Sequence, residues 1–178
     1  MRVSLIKPST EKLPGYADAV RRGWSWASKD DLAKIEHDPE GFVAGLENPQ
    51  GRGTIKLPDG SLVPCLPCFQ RWIWDGEFCG LMDFRWQHGT TELPPTCIGH
   101  VGYGVVPWKQ KRGYASKALG LLLPEVRALG LDHVIVAMAP DNIASQKVVL
   151  ANGGVFVEQF TKLAANGGGE CLKFRIDL

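Results

Sequence analysis

The sequence predicts an α+β domain built on a mixed (α/β), largely antiparallel sheet with helices on both faces. Three observations carry that prediction. Residues 66–74 and 78–86 are strand-like and flank Asp75-Gly76, a dipeptide that supplies the positive φ of a tight hairpin turn. A strand–helix–strand crossover runs from 96 to 139, the connection that places two strands side by side with a helix across one face. Apolar residues recur every three to four positions in the N-terminal third, the signature of amphipathic helices rather than of more sheet.

In chain order, 3–6 reads as a first strand. Over 11–26, Leu13, Tyr16, Val20 and Trp24 mark one helical face. Asp38 and Pro39 open a second helix as cap and first-turn residue, with Phe42, Val43 and Leu46 inward and Asn48-Pro49 as its stop. The Gly- and Pro-rich stretch 50–64 reads as a long loop. The hairpin follows, then a looser segment 87–95 and a strand over 96–106 ended by Pro107. A helix starts near Tyr114 with an apolar stripe of Ala115, Ala118, Leu119, Leu122 and Val126; Pro124 removes a donor inside it and predicts a bend or an early end. A buried strand over 132–139, a helix over 143–151 capped by Asp141-Asn142 and ended by Gly153-Gly154, and two closing strands, 155–161 and 171–176, complete the order.

The 178 residues suit one domain spanning 1–178. With 44% hydrophobic and 22% charged residues the chain can build a core, and a net charge of +1 gives no reason to expect nucleic acid or an acidic membrane surface as partner. No apolar run approaches the ~20 residues of a membrane-spanning helix, and 1–8 lacks the layout of a signal peptide, so the cytoplasm is the expected compartment. Five cysteines, an odd number, argue against a disulfide framework. Cys65 and Cys68 form a CxxC, but no second pair follows, so small buried apolar residues are expected rather than a metal site.

Chemistry concentrates in 105–115. A strand ends, a basic glycine loop turns, and a helix begins. Free N–H groups and the positive dipole end of that helix favour anions, Gly113 allows close approach of backbone, and Lys109, Lys111 and Arg112 add charge. These features point to a phosphorylated cofactor. The loop is neither a P-loop, since no GxxxxGK[ST] is present, nor a dinucleotide fingerprint, since Gly99, Gly102 and Gly104 precede the strand's end. A solvated basic loop is the plainer alternative.

Gln110-x-x-Gly113-x-Ala115, following a strand that ends Val105-Val106-Pro107, resembles the acetyl-CoA signature of the GNAT acetyltransferases, as do Asn142-Ile143-Ala144-Ser145 after the next strand and Asn152-Gly153-Gly154 at the helix end. The resemblance covers 99–156 and is similar to a bacterial group within that superfamily. It implies acetyl-CoA as cosubstrate and an amine as acceptor, attacking directly in a ternary complex. It further implies that the amides of Gln110, Lys111, Arg112, Gly113, Tyr114 and Ala115 bind the pyrophosphate. Val105 and Val106 would pair with the pantetheine, the Val105 amide would face the acetyl carbonyl, and Asn142 would hold the pantetheine arm with Ser145 nearby. Family members often carry a base near the position of His100, and an imidazole suits that task at neutral pH; a structural histidine bonded to a neighbour is the alternative. Glu92 and His88 are reserves, Asp83 a weaker one. The tyrosine usual about seven residues after the Asn is replaced by Val149; Tyr103 is the substitute acid. Trp24, Trp26, Trp72, Trp74 and Trp86 either line the acceptor side or pack across strands. A small-molecule amine is the first acceptor expected. Alternatives are a protein or peptide N-acetyltransferase, a non-catalytic acyl-CoA-binding module, or an unrelated nucleotide-phosphate binder. Exposed hairpin edges leave pairing into a homodimer open.

Overall fold

The computed structural model describes residues 2–178. Strand β1 (Ser4–Ile6) leads through a short 3₁₀ turn into helices α1 (Leu13–Arg21), α2 (Asp30–His37) and α3 (Pro39–Ala44). Then come β2 (Glu47–Asn48), β3 (Thr54–Lys56), β4 (Leu62–Pro64), β5 (Cys68–Trp74), β6 (Phe78–Arg85) and β7 (Val101–Val105). Helix α4 (Tyr114–Arg127), β8 (His133–Met138), α5 (Ile143–Leu150), β9 (Val155–Thr161) and β10 (Glu170–Asp177) finish the chain.

The strands form two antiparallel sheets and a small hairpin. The larger runs β1-β5-β6-β7, with β2 also on β5; the second runs β8-β10-β9. The Asp75-Gly76 turn joins β5 to β6 as the dipeptide predicts. The stretch expected as a loop at 50–64 instead folds an exposed hairpin, β3 with β4, which alternation alone is too short to reveal. Helix α2 was not anticipated: only two apolar residues, Leu32 and Ile35, three apart and half-buried against the α1 side of the core, mark its inward face. Asp38 caps α3 as expected, its Oδ1 accepting the Gly41 N–H at 2.8 Å. Helix α4 runs through Pro124 to Arg127, so of the bend or early end expected there the early end does not occur; the proline lies on the exposed side, where water can satisfy the carbonyl left without a donor.

Apolar side chains close around both faces of the larger sheet. On one side α4 packs Ala118, Leu119, Leu122 and Val126 against Ile73, Met82, Phe84 and the second sheet. On the other, α1 packs Tyr16 and Val20 against Trp72, Phe78 and Leu81. Tyr16 stacks on Trp72 with ring centres 5.4 Å apart and meets Phe78 edge-on at 5.5 Å, arrangements favoured by the ring quadrupoles. Buried Arg71 on β5 bonds Glu125 of α4 (Nε to Oε1, 2.9 Å) and Glu47 of β2 (Nη1 to Oε1, 2.7 Å), so its charge is matched on both sides. Among the described residues no helix is long and apolar enough to cross a membrane, and no group of three or more metal-ligating side chains converges.

Candidate active site between two diverging strands

Strands β7 and β8 touch at one end and separate at the other. At the closed end the His100 N–H bonds the Ile135 carbonyl at 2.8 Å, and His100 Nδ1 accepts the Ile135 N–H at 2.9 Å. A side chain at Gly99 would lie 3.2 Å from backbone atoms of Ile135 and Ala137, so glycine there lets the strands meet. Past this point they splay. Val101 to Val105 line one wall and Val136 to Met138 the other, and a cleft of about 970 Å³ opens between them.

The wall contributed by β7 is unpaired backbone. The Val106 N–H bonds the Cys79 carbonyl, and the Arg85 N–H bonds the His100 carbonyl. In an antiparallel pair the inward and outward groups alternate, so Gly102 and Gly104 also face β6, while the groups of Tyr103 and Val105 face the cleft. The Val105 carbonyl takes the Gln110 side-chain amide at 3.1 Å; the N–H groups of Tyr103 and Val105 have no partner among the described residues. Val106, expected to pair with pantetheine, does not: its N–H is used by Cys79, its carbonyl by the Lys109 N–H at 2.9 Å, and its side chain is buried on the α1 side.

At the mouth, the loop turns through positive φ at Lys111 and Gly113 (60° and 77°) and enters α4. No side chain caps this helix; the Lys117 N–H is the first amide of it to find a backbone carbonyl, at Gly113. The amides of Tyr114, Ala115 and Ser116 therefore point, unpaired, at the rim of the cleft, an arrangement made for anionic oxygen. Lys111, Gly113, Tyr114 and Ala115 line that rim, while Arg112 lies outside it. Lys109 is not free for a phosphate. It bonds Asp75 at 3.0 Å and Glu77 at 3.1 Å, and Tyr114 donates its hydroxyl to the same Asp75. Burial works to raise the Asp75 pKa, but the hydrogen bonds from Tyr114 and Lys109 outweigh it and hold the carboxyl near 2, ionised. The hairpin turn thereby anchors the basic loop.

On the opposite rim Asn142 lines the cleft and caps α5, its Oδ1 accepting the Ser145 N–H at 3.1 Å; its amide nitrogen makes no hydrogen bond among the described residues. Tyr103 reaches across the gap to Ser145, hydroxyl to hydroxyl at 2.6 Å. Burial raises its pKa to about 12, so at neutral pH it holds its proton. Val149 is wholly buried in the core, and its neighbours Lys147 and Val148 line the cleft; none of the three brings a hydroxyl.

His100 is bonded to the neighbouring strand, as the structural alternative expected. It is 1% exposed, its Nδ1 is occupied as an acceptor, and desolvation lowers its pKa to about 4. Its remaining nitrogen is buried without a partner. Such an imidazole is neutral at physiological pH, joins β7 to β8 at the closed end and does not line the cleft. With exposed Glu92 it lines a separate cavity of about 360 Å³ behind the clamp. Glu92 is therefore not at the cleft either, and His88 is spent on the Pro49 carbonyl at 3.1 Å.

The face of β7 turned toward α1 holds what sequence reasoning undervalued. Helix α1 ends at Gly23 (φ 78°), with the Trp24 N–H returning to the Ala19 carbonyl, so Trp24 folds into the core and the chain then carries Trp26 outward. Trp26, 47% exposed, lies on Gly102 and Gly104; a side chain at Gly104 would fall 2.5 Å from its ring. Trp72, Trp24 and Trp86 are core residues. Beside Gly102, as its cross-strand partner, stands Asp83. Its Oδ1 accepts the Gln70 amide at 2.9 Å, and Gln70 is itself fixed by the Trp72 N–H at 2.8 Å. Burial raises the Asp83 pKa. The signal was available as period-two spacing: Asp83 and Arg85 are the two charges of a strand that is otherwise apolar.

Comparison with known proteins agrees with this geometry. The family model described as an acetyltransferase (GNAT) domain matches residues 65–155. No curated protein sequence matches significantly. Among solved structures, the fold is similar to an acetyltransferase that modifies the N-terminal serine of a 50S ribosomal subunit protein from Salmonella typhimurium (16% identity, 99% of this chain and 95% of that one, TM-score 0.64). It is similar to the microcin C7 self-immunity acetyltransferase MccE in complex with acetyl-CoA and AMP (14%, 99% and 92%, 0.65). A spermidine N-acetyltransferase chimera from Vibrio cholerae and hSSAT also matches (12%, 99% and 96%, 0.60). The chain belongs to the GNAT acetyltransferase family, and is an acyl-CoA-dependent N-acyltransferase with acetyl-CoA as cosubstrate.

Proposed function

We propose that the chain, acting as one domain in the cytoplasm, transfers the acetyl group of acetyl-CoA to the amine of a small molecule by direct attack in a ternary complex. The observation that carries this reading is the run of unpaired amides along one path, from Tyr114, Ala115 and Ser116 at the helix rim to Val105 and Tyr103 inside the cleft. The rim amides suit the pyrophosphate, the β7 amides the pantetheine arm, and an inner amide the oxygen of the tetrahedral intermediate, where a preorganised donor is most effective. Asn142 supplies a further donor to the arm.

In this reading Asp83, not His100, takes the proton that the ammonium must lose. Its unused oxygen faces the α1 side of β7, and its raised pKa makes it a better base than an ordinary carboxylate. Tyr103, protonated and in the cleft, delivers a hydrogen bond or proton to the departing thiolate. That hydroxyl is the reason to prefer catalysis over a silent acyl-CoA-binding module despite Val149. The half-exposed Trp26 leaves the acceptor face open enough for a peptide N-terminus as the second reading. A second copy, if one pairs, would use edge strand β9, exposed along nearly its whole length.

Calorimetric titration with acetyl-CoA tests the cofactor site. Gly113 has φ +77° and nothing within 4 Å of its missing side chain, so Gly113→Glu projects a carboxylate into the anion site while Gly113→Ala bears the same backbone strain without the charge. We expect binding to the wild type, a modest loss in Gly113→Ala and abolition in Gly113→Glu. Equal binding by all three removes the loop from the site.

A further inference from the structure

Two arginines stand on the larger sheet, and only one is neutralised. Arg71 is held by Glu47 and Glu125. Arg85, half-buried at the end of β6, has no carboxylate within ion-pair distance and no side-chain hydrogen bond among the described residues. Leaving a guanidinium partly desolvated and unmatched is unfavourable, and a planar fork of donors is the group best shaped to receive a carboxylate or phosphate. Its position is specific. A side chain at Gly102 would lie 3.1 Å from Arg85 Nη2 and 3.7 Å from the Trp26 ring, so guanidinium and indole meet over the same glycine. Asp83 lies two residues along the same strand face, about 7 Å by strand geometry. Arg85 and Asp83 of β6 and the Trp26 ring thus surround Gly102 on the α1 face of the sheet; Trp26 and Gly102 line the cleft, and the two charges stand one strand behind it.

We infer that the acceptor is an amine that itself carries an anionic group, Arg85 receiving the carboxylate or phosphate, Asp83 the amine, and Trp26 the body between them. This rests on the acetyl-transfer reading and narrows it to zwitterionic acceptors whose two charges are a few ångström apart, such as an amino acid or an aminoalkyl phosphate. Arg85→Gln keeps the length and polarity of the side chain and removes its charge, on a residue that does not touch the cofactor path.

The test is a thiol-release assay with matched acceptors: the amino acids against their carboxamides, and phosphoethanolamine against ethanolamine, with acetyl-CoA binding measured alongside by calorimetry. We expect at least a tenfold preference in kcat/KM for the anionic member of one pair series, carried by KM. In Arg85→Gln that preference should collapse, with acetyl-CoA affinity unchanged. The series that shows the preference tells carboxylate from phosphate. Neutral amines turned over as well as anionic ones, or a preference that survives in Arg85→Gln, overturns the inference while leaving acetyl transfer standing. Failure to bind acetyl-CoA brings down the proposed function first, and the acceptor assignment with it.

Discussion

The two ends of the β7–β8 pair differ in one respect: how completely the backbone is satisfied. At the closed end His100 uses both its amide and its ring nitrogen on Ile135, and Gly99 removes the last obstacle to contact. At the open end the same strand, from three residues on, presents amides to no partner among the described residues, and α4 begins without a side-chain cap. Buried polar groups are nearly always paired, so a run of unpaired ones along a cleft reserves that surface for a ligand. The closed end fixes the angle; the open end is where the proposed chemistry would take place.

The largest effect expected of a single change belongs to the open end. Asp83→Asn keeps an oxygen that can accept the Gln70 amide but removes the proposed base, and kcat should fall by about 10²–10⁴, the usual range for lost general-base catalysis. In the wild type, kcat should drop on the acid side of a carboxylate whose pKa lies above the ordinary range, and that limb should vanish in the variant. Retention of both the rate and the limb assigns the base elsewhere.

The closed end answers to pH through stability instead. His100 is neutral in the fold down to about pH 4, whereas the unfolded chain takes up the proton near 6.5. The unfolded state therefore binds more protons between those values, and stability falls as pH drops through them, by roughly 3 kcal/mol for this one group. His100→Asn, which can still accept the Ile135 N–H, should flatten that part of the denaturation-versus-pH curve while leaving kcat within a few-fold. A large loss of kcat at neutral pH without loss of stability would return His100 to the chemistry.

A smaller effect is expected where the loop is anchored. Asp75→Asn weakens the bonds from Lys109 and Tyr114 that tie the hairpin turn to the start of α4. Acetyl-CoA affinity should decline by about five- to tenfold, equivalent to about 1 kcal/mol of lost loop order, with little change in kcat. Titration of the variant measures it, and an unchanged affinity would show that the loop holds its shape unaided.

The open end was the more legible of the two in the sequence. Gln110, Gly113, Ala115 and Asn142 sit in local contexts, a strand end, a glycine turn and two helix starts, and local contexts are what spacing reports. The Asp75-Gly76 hairpin, the Asp38 cap and the order of strands after β5 were readable for the same reason. Long-range facts were not. Nothing in a linear pattern distinguishes a histidine aimed at a cleft from one buried against the neighbouring strand, and that distinction moved His100 and Glu92 to a different cavity. Strand parity decides that Val105 serves the cleft and Val106 the core, and parity is set by pairing with β6 through Cys79. Trp26 looked like any other tryptophan until Gly102 and Gly104 were seen to make room for it.

Residue-resolved amide hydrogen exchange, with and without acetyl-CoA, is the most direct test of the central claim that the withheld amides of β7 and α4 are the cofactor site. The account predicts new protection at Tyr103, Val105, Tyr114, Ala115 and Ser116 on binding, and little change at His100 and Val106, which are already bonded. Binding that protects Val106 or His100 and leaves Tyr103 and Val105 exchanging freely would contradict it.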